Sequence, residues 1–113
     1  MCKYADIPFI LIQVEALEAL TEDYKKLLPD VDLSFLNVRR NELIEQYNSL
    51  KNELEAIKAD DQEVYQLIYW HYIKRKGWNE AYNIVCAGLY HANRESYCRH
   101  RVNRYLKKHN LIQ

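Results

Sequence analysis

From Ile7 to Leu28 the apolar residues Val14, Leu17, Leu20, Tyr24, Leu27 and Leu28 recur at steps of three and four. That spacing lines one face of a helix. Pro8 suits its first turn, where a missing N–H costs nothing. Lys25 and Lys26 favour its last turn, and Pro29 with Asp30 stops it. A second helix is predicted from about Asp32 to Ala59, with Leu33, Leu36, Arg40, Leu43, Tyr47, Leu50, Leu54 and Ile57 forming a heptad seam that holds one charged position. The short linker from Asp30 to Asp32 favours folding this seam back on the first helix as a hairpin. Pairing of two chains as a homodimer through residues 33–57 stays open.

Asp60 and Asp61 interrupt the pattern, and Glu63, three after Asp60, suits a capping box for a third helix from Gln62 to Lys76. Val64, Tyr65, Leu67, Ile68, Tyr69, Trp70, Tyr72 and Ile73 make that helix apolar nearly all round, as in a helix held between two layers. Gly77 reads as its C-terminal stop. A short fourth helix follows, from Trp78 or Asn79 to Ala87, with Trp78, Ala81, Ile84 and Val85 as its inner face. Gly88 is expected to end it, with a connection over Leu89 to Asn93. Asn93 is a suitable cap for a fifth helix that runs to about His109. The expected fold class is all-α: an acidic helical hairpin over residues 1–59, then a trihelical helix-turn-helix unit over residues 60–113.

Wound at about 100° per residue, the fifth helix gathers Cys98, Val102, Tyr105 and Leu106 on one stripe. Ser96, His100, Asn103, Arg104 and Lys107 fall opposite, flanked by Tyr97, Arg99, Arg101 and Lys108. One side can pack while the other presents donors, an imidazole and positive charge. Arg, Asn and Ser can hydrogen-bond base edges, and lysines and flanking arginines can hold phosphates. The candidate DNA-binding residues are therefore Arg94, Ser96, Tyr97, Arg99, His100, Arg101, Asn103, Arg104 and Lys107. The run Lys74, Arg75 and Lys76 is added as a backbone clamp. The bland alternatives are a solvated basic face and, for the lysine run, ordinary helix-end charge.

Charge strengthens the first reading. Residues 71–113 hold nine Lys or Arg against two acids, a net +7, and residues 1–70 hold seven against fourteen, a net −7. The formal net charge of zero conceals two opposed halves. The basic half suits a polyanion, and the acidic half suits a protein partner or itself; the bland alternative is a dipolar chain whose halves attract each other.

Cys2, Cys86 and Cys98 form no even disulfide set and match no zinc spacing. Cys86, His91, Cys98 and His100 are too irregularly placed for a metal site, and buried thiols are the plainer reading. Neither a metal nor a cofactor is implied. There is no Gly-rich phosphate loop, no His-Glu-x-x-His and no nucleophile motif, so no enzyme is expected. No stretch is long enough to span a membrane and the start does not read as a signal peptide, which points to the cytoplasm.

The stretch Val64-Tyr65-Gln66-Leu67-Ile68-Tyr69-Trp70-His71-Tyr72-Ile73, followed by Gly77-Trp78-Asn79-Glu80-Ala81, resembles the first helices of the fourth region of bacterial sigma factors. With Ser96-Tyr97-Cys98-Arg99-His100-Arg101-Val102-Asn103-Arg104-Tyr105-Leu106, it is similar to the small sigma-like and ArpU-like regulators of phages and prophages in Gram-positive bacteria. The resemblance covers residues 60–109 and implies promoter or operator binding with the last helix as reader. It further implies double-stranded DNA as a partner, and RNA polymerase as a candidate contact for the hairpin. The chain departs from that pattern at Ala81-Tyr82, where Ile-Ala is usual, and in the longer turn from Cys86 to Asn93. It has no counterpart of the promoter-melting second region. Two readings from other classes stand beside this one: a phage-encoded protein-interaction inhibitor on the same scaffold, and a small terminase-like DNA-packaging subunit.

Overall fold

The computed structural model describes residues 2–87 and 92–111. Among them the fold is all-helical. A 3₁₀ turn, Lys3–Asp6, leads into α1 (Ile7–Leu27), and α2 (Ser34–Asp60) returns antiparallel beside it. Next come α3 (Gln62–Ile68), a π turn (Tyr69–Ile73), α4 (Trp78–Val85) and α5 (Arg94–Lys108). The molecule is elongated, 63 × 25 × 22 Å. No helix among the described residues is long and apolar enough to cross a membrane.

The seam of α2 is closed within the chain. Leu36, Leu43, Leu50, Leu54 and Ile57 are buried, and α1 lies along this helix. Arg40 turns to the hairpin's edge, where its guanidinium meets Glu18 of α1 at 2.8 Å. The residues through which two chains could have paired are thus used by one, as the short linker favours. The apolar face of α1 is buried or half-buried at its base, at Ile7, Ile10, Val14 and Leu17, but not at its tip. Leu27 is 74% exposed, and Leu28, Val31, Phe35 and Val38 also face solvent. Three- and four-residue spacing identifies a face, but it does not supply a neighbour at every height of that face.

Three helix ends differ from expectation. Asp61 caps α3, accepting from the Val64 N–H at 3.2 Å. Asp60 and Glu63 do not form the expected box, because both carboxylates are taken by α5. The third helix does not run regularly to Lys76. After Ile68 it widens, and the Lys74 N–H reaches the Tyr69 carbonyl five residues back at 2.9 Å. Such a π turn accommodates one more residue per turn than the regular helix. Here it carries the four consecutive rings of Tyr69, Trp70, His71 and Tyr72, and His71 stacks on Trp78 with centroids 3.5 Å apart. The left-handed residue that ends this segment is Arg75, at φ 59°. Gly77 instead adopts extended backbone and precedes α4.

In α4 the inner face comprises Ala81, Tyr82 and Cys86, with Trp78 and Val85 half-buried, while Ile84 points outward. Tyr82 finds room because its ring meets Tyr97 edge-on at 6.0 Å, under the Arg94 guanidinium. The helix stop at Gly88 and the connection over Leu89, Tyr90 and His91 lie outside the described residues. One buried cluster runs through all the helices, from Tyr4 and Ile7 through Leu54, Ile57, Val64, Leu67 and Ile68 to Val102 and Leu106. Tyr4, in a segment with no apolar period, is fully buried there.

Candidate nucleic-acid interface

α5 begins where Asn93 accepts from the Ser96 N–H at 2.9 Å, a cap that satisfies a free first-turn donor. Glu95 in the first turn and Lys107 and Lys108 in the last both suit the helix dipole. Cys98, Val102, Tyr105 and Leu106 are buried, the stripe expected from the sequence.

A row at four-residue spacing fastens the inner edge of α5: Tyr97, Arg101 and Tyr105. The Tyr97 hydroxyl donates to Glu63 Oε1 at 2.6 Å. Arg101 donates to Asp61 Oδ2 at 2.5 Å and pairs with Glu63 Oε1 at 3.2 Å. The Tyr105 hydroxyl donates to Asp60 Oδ2 at 2.7 Å, with His109 Nε2 3.7 Å from the same oxygen. Three acids at the α2–α3 junction thus dock three residues of α5. Burial works against the charge of Asp61, but the Arg101 guanidinium and the Val64 N–H outweigh it, so the carboxyl titrates below its ordinary range. Burial, and hydroxyl donation to Glu63 and Asp60 respectively, push Tyr97 and Tyr105 up to about 12. Tyr97 and Arg101, both expected at the DNA face, are engaged by this junction. The acidic run at 60–63, set against the Tyr97, Arg101 and Tyr105 spacing, is the sequence signal that could have found the clamp.

The outer edge keeps its donors in water. His100, Asn103, Arg104 and Lys107 are exposed and Ser96 half-exposed. Among the described residues, no hydrogen bond or ion pair engages the side chains of His100, Asn103, Arg104 or Lys107. Arg99 sits beside them with only a loose 3.6 Å contact to Glu95 one turn back. Arg94 is drawn onto α4, donating to Asn83 Oδ1 at 3.0 Å. It therefore braces the two helices and sits at the margin of the face.

Lys74, Arg75 and Lys76 are exposed in the turn before α4. The turn is pinned by His71, whose Nδ1 lies 2.8 Å from the Lys76 carbonyl oxygen. A carbonyl can only accept, so that nitrogen carries the proton. Burial holds the His71 ring below its ordinary value despite this bond, which favours the neutral form. Lys74 lies 5.5 Å from the Tyr69 ring centre, and Arg75 lies 5.1 Å from that of Phe9. Arg75 thus leans toward α1, and Lys74 over a ring of its own segment.

Cys86 and Cys98 are buried free thiols, and burial raises Cys98 to about 11, which leaves it protonated and unreactive. No group of metal-ligating side chains occurs among the described residues; His91 lies outside them. The chain matches no family model, no curated protein and no solved structure.

Proposed function

We propose that the protein is a DNA-binding transcriptional regulator of the phage or mobile-element kind, acting in the cytoplasm of a bacterial host with α5 in the major groove of double-stranded DNA. The observation that carries this reading is the outward row of His100, Asn103, Arg104 and Lys107 on a helix whose opposite side is fastened by Tyr97, Arg101 and Tyr105. A reader helix presents donors to a base edge with one side while its other side is held to the protein, and the clamp supplies that hold. Asn103 and Arg104 have the chemistry of adenine and guanine readout, while Arg99, Lys107 and the turn Lys74–Lys76 have that of phosphate contact. The acidic hairpin, repelled by DNA, is suited to RNA polymerase or another protein.

Selection from a random duplex pool, followed by fluorescence anisotropy on the enriched site, tests this. Binding is expected to weaken steeply with salt; Arg99→Ala is expected to flatten that slope by about one counterion, and Arg104→Ala to lower affinity and relax the sequence preference. Failure to bind or enrich any duplex in dilute buffer would sink the proposal. A second reading, a protein-interaction inhibitor on the same scaffold, is favoured by the exposed apolar tip at Leu27, Phe35 and Val38. It predicts that changes at the tip abolish activity while the arginine changes leave it intact.

A further inference from the structure

We propose that two copies of this chain pair antiparallel through the outer face of α1, Phe9 and Ile12 of each packing on Ala19 and Ala16 of the other. α1 is apolar on two sides. Ile7, Ile10, Val14 and Leu17 face the hairpin interior. Phe9, Ile12, Ala16 and Ala19 follow three- and four-residue steps along the opposite side, and all four are exposed. Phe9 is 48% and Ile12 60% exposed. A helix with two apolar seams normally lies between two partners, and α2 covers only one of these seams.

The order of side chains along the outer seam selects the occupant. Two large residues come first and two small ones after. A two-fold axis at position 14 sets Phe9 against Ala19 and Ile12 against Ala16, each pair being equally far from that position in sequence. Large then meets small at every step, as interdigitation requires. A parallel pairing would place Phe9 on Phe9 and leave a gap between alanines.

Charge agrees with the same axis. Phe9 lines a shallow groove with Ala5, His71, Tyr72, Arg75 and Lys76. The axis brings Asp23 of the second copy, which lies on the same side of α1 as Ala16, opposite position 5, at the mouth of that groove. Arg75 and Lys76 outnumber Asp6 there, so Asp23 of one α1 meets the basic turn of the other copy. The seam is short, which places the contact in the weak, concentration-dependent class of interfaces.

Sedimentation equilibrium of the full chain without DNA decides the matter, and it reads independently of the proposed DNA binding. The expected mass rises with concentration from 13.6 kDa toward twice that value. Ala16→Arg alters a solvent-facing helix position, so the circular dichroism spectrum is expected to stay unchanged while the mass stays at the monomer. Lys76→Glu is expected to weaken association several-fold, and adding Asp23→Lys to restore it. A wild-type chain that stays monomeric throughout, or an Ala16→Arg variant that associates like wild type, overturns the proposal. So does dissociation by Phe35→Ser at the hairpin tip in place of Ala16→Arg.

Discussion

Arg101 and Arg104 stand less than one turn apart on α5, yet they face different worlds. Arg101 reaches down to Asp61 and Glu63 across the helix junction. Arg104 is exposed, one of a row of donors that includes His100, Asn103 and Lys107. The same side chain serves the fold on one edge and is left available on the other. Basic residues on a helix therefore cannot be counted as one patch: what matters is whether an acid lies within reach beneath each of them. Beneath Tyr97, Arg101 and Tyr105 the chain places Glu63, Asp61 and Asp60.

That contrast can be broken from below. Leu67 is fully buried in α3, and Leu67→Ala is expected to cost about 3 kcal/mol in urea unfolding through lost contacts and a cavity. Both edges of α5 would suffer together, so any DNA binding should fall in step with the folded fraction. Arg101→Ala acts on one edge. It is expected to cost about 2 kcal/mol of stability, the scale of a charged hydrogen bond, with little effect on DNA affinity per folded molecule. Arg104→Ala should do the reverse. The melting temperature is expected to hold while DNA affinity falls about tenfold, as read by anisotropy. If Arg101→Ala lowers affinity at full folding, or Arg104→Ala lowers stability, the division between the edges is wrong.

Asn93→Ala is expected to cost about 1 kcal/mol by removing the cap of α5, with fraying at Arg94 and Glu95 in hydrogen exchange. The smallest effect sharpens the comparison through pH. Asp61 titrates below its ordinary 3.8 when folded. Its contribution is therefore present above 3.8 and is lost as pH falls through the folded value. Tyr97 and Tyr105 are raised from 10.0 to about 12. Their contribution is complete below pH 10 and is lost as pH rises toward 12. Docking of α5 should loosen at both extremes, and Arg101→Ala should blunt the acid limb. Melting curves across pH would check each limb.

The buried stripe of α5, its Asn93 cap and the α2 seam were legible in the sequence, because each follows from helical period or local cap chemistry. The outward position of His100, Asn103, Arg104 and Lys107 followed from the same winding. The roles of Tyr97 and Arg101 could not be read from α5 alone, since they depend on the acids that the distant run at 60–63 brings near. Tyr4 lies in a segment with no apolar period and is buried by tertiary contact alone. Leu27 and Leu28 keep the period of α1 but lie beyond its covered length. Arg75 takes the left-handed turn that the sequence reading assigns to Gly77, because the helical segment ends at Ile73, short of Lys76.

The unbroken cluster from Tyr4 to Leu106 carries an evolutionary corollary. Residues 60–113 are no interchangeable cassette, for any graft would have to rebuild the interior shared with Tyr4, Leu54 and Ile57. Diversification falls instead to single substitutions on the solvent side of α5, where His100, Asn103 and Arg104 can drift with no compensating change beneath them.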